Sequence, residues 1–450
     1  MIQALSPLWL LFLPLAGAPL VFAMRHRERW ACLLAAFCML LSVRLCLSMP
    51  FDWSIDFLGR TILLQPFGRT FLAGIYLLAA IHLTYASFVS QGRAFSYLVL
   101  IVTALLSAAT MVQNGELAVL LLEIALAFMV LSAQPNSLRS VRGALYYLLG
   151  VSIAGPFLLI MLHLTQTRVL NPIDSTLPQT AAVLLALGVT ALLGATPFQA
   201  WLYNVCLEAS PLMVSFITSV AHGVIFFKLL GWLRDFPWLI QDGRVLSLLF
   251  AIGLVSTSLG GVLLLFQKES RAAFAWLILF DTGCLFMSLS SLPSEGPALV
   301  TFLWINRAIS VSLVGIGMGM VAKAQTGRSF FSWSGLVWQQ PFSVLAVAVG
   351  GLSLAGFPLT AGFTSRWLTV QSLPVETQRW MVTLAVMSAA AYLGCLRWLA
   401  TTAGNAPSET YDDEPTVLRA IILLLVAANL FLAIYPQTSL QLLLRILETA

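Results

Sequence analysis

Five ionisable side chains lie inside stretches that are otherwise apolar, and they are the candidates for handling charge or protons. They are Glu123, His222, Asp281, Arg307 and Arg366. A charge inside a long apolar segment is expensive, so such residues mark ion or proton pathways unless they serve only to pair with one another. Carboxylates and imidazole can exchange protons, whereas arginine stays protonated in proteins. The sequence therefore predicts proton transfer or stabilisation of a moving charge.

Glu123 and His222 are the two candidates for direct proton exchange. Glu123 lies in the middle of the run "ELAVLLLEIALAFMVLSAQ" (116–134), and the functional interpretation competes with a structural ion pair. The ordinary pKa of histidine, near 6.5, suits proton exchange. A single histidine in a helix is also compatible with a hydrogen-bonded packing residue, so both interpretations of His222 stay open.

Asp281 and Arg307 are predicted to pair. The segment "SLPSEGP" (291–297) is centred on Ser294, and each charged residue lies thirteen positions from that centre. On adjacent antiparallel helices joined by a loop at 291–297, the two would lie at similar depth, and pairing would offset much of the cost of burial. The pair would be either a static structural contact or part of a charge axis.

Two apolar segments carry helix-breaking residues. One reads "LLGATPFQAW" (192–201) around Pro197, and the other reads "SLAGFPLTAGF" (353–363) around Pro358. Proline removes a backbone hydrogen bond, and freed backbone is tolerated at membrane depth only where protein or water satisfies it. One such kink is common in membrane helices, but a pair, one in each half, is typical of inverted-repeat transporters. Arg366 follows the second break and needs water or an anionic partner there.

These residues must be positioned by membrane-spanning helices. Of the 450 residues, 60% are apolar and 9% charged, against roughly 25% charged in soluble domains. Apolar runs of about 20 residues recur along the chain and predict about 14 spans. The segment from Phe51 to Phe67 is expected to form a small extracytoplasmic hairpin, and the polar stretch from Thr401 to Thr416 is expected to be a loop.

Charge and cysteine usage exclude several classes of protein. The net charge of +5 reflects basic cytoplasmic loops rather than nucleic-acid binding. The distribution of Lys and Arg over the loops predicts that both termini face outward. The six cysteines form no CxxC pattern, so neither a disulfide framework nor a metal site is expected. No phosphate-binding loop, haem motif or iron–sulfur motif is present, and no cofactor is expected.

Several motifs resemble those of the antiporter-like membrane subunits of respiratory complex I (NADH:quinone oxidoreductase), a family shared with Mrp antiporters and membrane-bound hydrogenases. "PFQAWLYNVCLEASPLMVSF" (197–216) is similar to the family's Pro-Phe-His-x-Trp-Leu-Pro-Asp…Ala-Pro-x-x-Val-Ser stretch, although it departs from it at Gln199, Tyr203, Asn204 and Ser210. "QKESRAAFAW" (267–276) and "GFPLTAGFTSRW" (356–367) resemble two further blocks, and Glu123 occupies the position of the family's key glutamate.

The resemblance covers nearly the whole chain and implies an all-α polytopic membrane protein. The implied fold is one domain, residues 1–450, with about 14 transmembrane helices. It contains two inverted five-helix repeats, approximately 95–235 and 243–401, each with a broken helix. The resemblance further implies a bacterial-type inner (cytoplasmic) membrane and other membrane subunits as partners, with the redox chemistry in a separate arm.

The lysines of the family's proton relay are missing. Where the resemblance expects them, the sequence has Leu192, Gly223 (or His222 if the alignment slips by one), Arg271 and Arg366. Lysine can lose its proton when it is desolvated, whereas arginine stays charged. Arg271 and Arg366 can therefore bias a field or hold a carboxylate, but they are not expected to relay protons.

Three functions follow as hypotheses. The first is a proton-translocating, or formerly translocating, subunit of a complex I-like assembly, with a modified path from Glu123 past His222 and Arg271 toward Arg366. The second is a structural or coupling subunit that has lost pumping, which Leu192 and the two arginines favour. The third is the energising subunit of an Mrp-like antiporter or an inorganic-carbon uptake complex. Whether the subunit belongs to an ion-translocating enzyme stays open.

Overall fold

The computed structural model describes residues 6–50, 53–57, 59–133, 141–170, 176–241, 243–289, 292–324, 329–373, 375–404 and 414–448. Six helices and one hairpin form the first part. The helices are α1 (Leu8–Ala23), α2 (Glu28–Ser48), α3 (Pro66–Ala86), α4 (Phe95–Met111), α5 (Gly115–Ala133) and α6 (Arg142–Leu170). The hairpin pairs β1 (Trp53–Phe57) with β2 (Arg60–Leu64) in antiparallel register, Ile55 opposite Ile62. This confirms the predicted hairpin within 51–67.

The rest of the chain is also helical. The helices are α7 (Leu177–Leu193), α8 (Gln199–Glu208), α9 (Pro211–Phe216), α10 (His222–Asp235), α11 (Trp238–Gln241), α12 (Arg244–Phe266), α13 (Ser270–Ser288), α14 (Leu292–Ala324), α15 (Leu336–Gln339), α16 (Pro341–Ala355), α17 (Ala361–Ser372), α18 (Met381–Thr402), α19 (Thr416–Ile434) and α20 (Pro436–Glu448). A π-helical turn, Ile217–Ala221, joins α9 to α10, and two 3₁₀ turns cover Phe330–Trp333 and Val375–Trp380.

Ten helical segments of the described chain are long and apolar enough to cross a membrane. Four more apolar helices are shorter, namely α1, α4, α7 and α16. Two of these, α7 and α16, are short because each ends at a break, after which the chain continues as α8 or α17. The chain is therefore a polytopic helical membrane protein, while the count of about 14 spans and the inverted repeats stay predictions.

Both breaks are built in the same way. Gly194 ends α7 and Gly356 ends α16 with positive φ values of 63° and 81°, a conformation that costs glycine little. The amide of the following residue then bonds back into the last turn, Ala195 N to Thr190 O at 3.1 Å and Phe357 N to Leu352 O at 2.9 Å. This is the Schellman arrangement of helix ends. The predicted breaks around Pro197 and Pro358 are confirmed.

Three helical segments form the core and are hidden from the surroundings by the others. In Pro211–Asp235, Ser270–Ser288 and Ala298–Lys323, 89% of the most apolar window is buried, against 28–61% in the other long spans. A helix that is apolar all round can sit in lipid or in a protein interior, so sequence alone does not separate the two cases. The core segments are those that carry His222, Asp281 and Arg307.

The two segments predicted to be loops differ in outcome. The segment 291–297 is almost entirely helical, because α14 begins at Leu292. Pro293 lies in the first turn, where backbone N–H groups have no partner inside the helix, so proline is tolerated. The predicted loop 401–416 separates α18 from α19, and its residues 405–413 lie outside the described chain.

Candidate functional site

The predicted pair of Asp281 and Arg307 is confirmed. Asp281 Oδ2 lies 3.1 Å from Arg307 Nη1, and the two residues are 3% and 0% exposed. They face each other from α13 and α14, which are consecutive helices of the core. Thr282 Oγ1 also accepts from Arg307 Nη1 at 2.8 Å. The register counted from Ser294 was sufficient to place them, even though the connection is shorter than predicted.

Arg366 pairs with the same carboxylate. Its Nη2 lies 2.6 Å from Asp281 Oδ1 and 2.9 Å from the carbonyl oxygen of Leu354. Leu354 belongs to the last turn of α16, whose carbonyl groups have no partner further along the helix because the helix breaks there. The negative end of the helix dipole stabilises a cation at this place. The carbonyl group left free by the break accepts a hydrogen bond from Arg366, and Asp281 supplies the negative charge that this arginine needs.

His222 extends this set of contacts on the other side. Its Nδ1 lies 3.1 Å from Arg307 Nη2. A guanidinium group only donates, so Nδ1 must accept, and the proton of the neutral ring must sit on Nε2. Nε2 is buried and has no hydrogen-bond partner among the described residues. Arg307 thus holds His222 in one tautomer, with an unused donor on the far side of the ring.

The π-helical turn before His222 supplies two further acceptors. Arg307 Nε donates to Thr218 O at 3.3 Å, and Trp304 Nε1 donates to Ser219 O at 3.2 Å. A π turn bonds i to i+5 and is found most often as a single turn at functional sites. Gly223 follows His222, and a Cβ at Gly223 would overlap the Trp304 ring. The glycine lets α14 approach closely enough for Arg307 to reach these carbonyls.

We name His222, Arg307, Asp281 and Arg366 the buried charge chain. Its two arginines and one carboxylate carry a formal charge of +1 when His222 is neutral. The arginines keep their protons, and each oxygen of Asp281 already accepts a charged hydrogen bond. Within the buried charge chain, His222 is the one uncharged member that can change its protonation state, and proton uptake at Nδ1 requires Arg307 to move away.

A neutral polar cluster beside the charge chain was missed by the sequence reasoning. Asn429 Nδ2 on α19 lies 3.0 Å from Ser353 Oγ and 3.1 Å from Ser310 Oγ. Asn306 Nδ2 donates to Ser365 Oγ at 3.0 Å, and Gly362 N donates to Ser353 Oγ at 3.1 Å, which satisfies one free amide at the start of α17. An amide within the apolar run "LLLVAANLFLAI" (423–434) was the available signal.

Glu123 lies apart from the core. It is half-buried on α5, and its carboxyl group lies against Gly155 of α6, where a Cβ would overlap it. Leu192, at the position of the absent lysine, is buried in α7 and 2% exposed. Helix α6 packs against both α5 and α7. The geometry thus places Glu123 at a seam between α5 and α6.

Gly155→Ala is expected to force the Glu123 side chain out of this seam and to destabilise the protein by about 1–3 kcal/mol, the usual range for overpacking. The measurement is the thermal unfolding midpoint of the purified protein in detergent. Gly74→Ala on α3 is the matched control, because a Cβ there meets no atom within 4 Å. Equal midpoints for the two variants would contradict the close contact.

Arg271 contacts the end of a neighbouring helix. Its Nη1 donates to the carbonyl oxygens of Leu207 and Ala209 at 3.0 and 3.1 Å, so it binds the C-terminal end of α8. Gln199, which replaces the family's histidine, begins α8 just after the first break, and its Oε1 is buried without a partner in the described structure. The predicted path through Arg271 stays a prediction.

No group of three or more His, Cys, Asp or Glu side chains that could hold a metal ion occurs within the described ranges. All six cysteines are free thiols. The side chains described above are joined by hydrogen bonds and ion pairs.

Comparison with known proteins identifies the family and the fold. The family model described as "NADH:quinone oxidoreductase/Mrp antiporter, TM" matches residues 116–391. NADH-quinone oxidoreductase subunit N of Ectopseudomonas mendocina is 27% identical over 327 residues, which cover 68% of this chain and 65% of that protein. The subunit N of Chromohalobacter salexigens is 26% identical over 56% of this chain and 55% of its own length. The matches thus span somewhat more than half of these relatives.

Solved structures share the fold over almost the whole chain. A chain of respiratory complex I from Thermus thermophilus with bound NADH superposes with a TM-score of 0.81 at 18% identity, covering 97% of this chain and 98% of that one. A chain of the archaeal membrane-bound sulfane sulfur reductase gives 0.79 at 17%, covering 98% and 97%. A chain of the Mrp complex from Dietzia sp. gives 0.79 at 18%, covering 97% and 52%.

The family model covers well over half of the 450 residues, and the shared fold extends to both parts of the chain. The chain belongs to the transmembrane family of NADH:quinone oxidoreductase and Mrp antiporter subunits.

Proposed function

We propose that this chain is a proton-translocating membrane subunit of a complex I-like assembly, in which His222 exchanges the proton and the two arginines supply fixed charge. The observation that carries the proposal is the buried charge chain. It runs without interruption from His222 on α10 through Arg307 and Asp281 to Arg366 behind the second break. A continuous set of charged hydrogen bonds through a protein core couples the charge states at its ends.

Arg307 acts as the gate in this proposal. While it donates to His222 Nδ1, the imidazole can offer only its Nε2 proton. When a change of charge beyond Arg366 draws Asp281 and Arg307 toward the second break, Nδ1 is released and can accept a proton. In the modified path, Glu123 and His222 carry the protons. The movement of Arg307, which is permanently charged, takes the place of the family's lysines.

The finer structural predictions belong to the same proposal. They are about 14 transmembrane helices, inverted repeats near 95–235 and 243–401, and both termini on the outer side of a bacterial-type inner membrane. The solved relatives are chains of multi-subunit respiratory and antiporter complexes. We therefore infer that other membrane subunits are the partners, with the electron-transfer chemistry in a separate subunit.

A coupling subunit that moves no proton is the second candidate, and two observations favour it. Asp281 already satisfies both buried arginines, and Leu192 places a buried apolar side chain where the family carries a lysine. In this case the charge chain would stabilise the broken helix and transmit no proton.

His222→Gln separates the two candidates. Glutamine keeps a polar side chain but cannot take up a proton, so the proton-transfer step should slow by about 10²–10⁴, as on removal of a positioned acid–base group. The measurement is the initial rate of proton transport, together with the protons moved per electron, by the purified assembly in liposomes. His163→Gln on the exposed side of α6 is the control. Unchanged stoichiometry in His222→Gln would favour the coupling subunit.

A further inference from the structure

A polar cleft lies near the ends of α4, α5, α6 and α10, away from the buried charge chain. It encloses about 490 Å³ including its open mouth, enough for several water molecules. Its polar lining consists of Gln113, Glu116, Thr165, Gln166, Lys228 and Asp235. We name it the Lys228 cleft. The sequence analysis gave no role to Lys228, because it does not occupy a lysine position of the family.

Lys228 is the one lysine of the chain that lies in the interior of a described helix. The other two, Lys268 and Lys323, lie between α12 and α13 and in the last turn of α14. Lys228 Nζ makes one long hydrogen bond, 3.4 Å to the carbonyl oxygen of Val112, and no carboxylate of the described chain is within ion-pair distance. An ammonium group has three donors, so two of them are available to water in the cleft.

A second donor in the cleft lacks a partner. Trp232 lies one turn beyond Lys228 on α10 and lines the cleft. It is 4% exposed, and its Nε1 has no hydrogen-bond acceptor among the described residues. A buried indole N–H normally finds an acceptor. An ordered water molecule in the cleft would serve both Trp232 and Lys228.

The charged groups around Lys228 favour a proton over an anion as the species handled. Glu116 Oε1 accepts from Gln166 Nε2 at 3.0 Å on one side. On its own helix, Asp235 Oδ1 pairs with Arg234 Nε at 3.3 Å near the surface. Two carboxylates and one ammonium group line the cleft. A phosphate or carboxylate ligand would be repelled by the acidic side chains, whereas protons are attracted to them.

The cleft and Glu123 lie along the same pair of helices, α5 and α6. Glu116 and Glu123 are seven residues apart on α5, which places them on one face at a separation of roughly 10 Å along the axis. On α6, Gln166 contacts Glu116 and Gly155 contacts Glu123. Leu162, which lines the cleft, lies against Gly115 at the start of α5. One seam between α5 and α6 therefore links the cleft to the intramembrane carboxylate.

We propose that the Lys228 cleft is the aqueous mouth of the proton path, with Lys228 as its proton-exchanging group. The inference rests on the proposed function. The Lys228 ammonium gives a proton to a water molecule of the cleft, which leaves a neutral amine and a hydronium ion. The amine takes up a proton again from the Glu123 side. The cleft lies on the side predicted to face outward, so Lys228 would exchange protons with that side.

Lys228→Cys tests the proposal in the purified assembly in oriented vesicles, with Val224→Cys on the same helix as the buried control. An impermeant trimethylammonium methanethiosulfonate should modify the thiol at position 228 about tenfold faster than the thiol at position 224, because reactivity requires access to the thiolate.

The unmodified Lys228→Cys variant should translocate fewer protons than the wild type. Modification of this variant with an aminoethyl methanethiosulfonate should restore transport, because the attached amine can release a proton. The trimethylammonium reagent should not, because its charge is permanent.

Four results would overturn the proposal. Equal modification rates at positions 228 and 224 would mean that the cleft is closed. Equal restoration of transport by both reagents would mean that only positive charge is needed. Wild-type pumping by unmodified Lys228→Cys alongside a defective His222→Gln would overturn this inference and leave the proposed function standing. A native assembly that moves no proton at all would overturn both.

Discussion

Asp281→Asn is expected to destabilise the folded chain by about 3–5 kcal/mol, the range measured when one partner of a buried ion pair is removed. The buried charge chain carries two positive charges and one negative charge, so its formal charge rises from +1 to +2 when the carboxylate is lost. Asparagine can accept hydrogen bonds but cannot neutralise either guanidinium. The two arginines would then repel each other inside a buried core.

The arginine variants should be milder, because each leaves a neutral pair. Arg366→Met frees the Leu354 carbonyl and one carboxylate oxygen. Arg307→Met should cost more than Arg366→Met, since Arg307 donates to Asp281, His222, Thr282 and Thr218. The expected order of destabilisation is therefore Asp281→Asn, then Arg307→Met, then Arg366→Met.

Thermal unfolding of the purified protein in detergent measures this order. Asp235→Asn is the matched control, because Asp235 pairs only at the surface, with about half of its side chain exposed, and such pairs contribute about 0–1 kcal/mol. Combining Asp281→Asn with Arg366→Gln returns the formal charge to +1 and should recover part of the loss. If Asp281→Asn unfolds at the same temperature as Asp235→Asn, the charge chain does not stabilise the core.

Leu192→Lys, which introduces a lysine at the position of the family's lysine, should also destabilise the folded chain. A lysine placed centrally in a membrane helix costs about 3 kcal/mol, and this side chain is 2% exposed. Helix α6 packs between α5 and α7, so the new ammonium is not expected to reach Glu123. A family relay residue would then lower stability in this chain rather than restore a relay.

Leu192→Met controls for the loss of branching, since such swaps usually cost less than about 1.5 kcal/mol. The test compares the unfolding midpoints of Leu192→Lys in the presence and absence of Glu123→Gln. Equal effects in both backgrounds would show that the ammonium is unpaired. If Leu192→Lys is tolerated only when Glu123 is intact, the two side chains meet, and the separation inferred from the helix packing is wrong.

The sequence was sufficient for features that depend on distance along a helix. The breaks around Pro197 and Pro358 follow from residues that cannot continue a helix. The pair of Asp281 and Arg307 follows from counting equal numbers of residues from a turn, because each residue advances a helix by about 1.5 Å. Position along the helix axis is in this sense a property of the sequence. The predicted pairing was therefore correct, although the segment 291–297 that was predicted as a loop is mostly helical.

The direction in which each side chain points around its helix was decided by the tertiary structure. A soluble helix shows its buried face by alternating polar and apolar residues, but a membrane helix is apolar toward both lipid and protein. The sequence therefore identified Arg366, His222 and Asp281 as candidates. It did not show that the Asp281 carboxylate contacts both arginines, or that the Arg307 guanidinium contacts His222. It also gave no sign that Asn429 would meet Ser310 and Ser353.

Helix packing also decided which charges lie apart. Glu123 has the sequence context of a central relay residue, yet it lies half-buried on a seam between α5 and α6. Lys228 matched no motif, yet it lines a polar cleft. The sequence by itself indicated the family, the two breaks and the pairing of Asp281 with Arg307. Only the packing of α10, α13, α14 and α17 decided which charges share a partner, because that depends on helix rotation, for which a uniformly apolar sequence carries little signal.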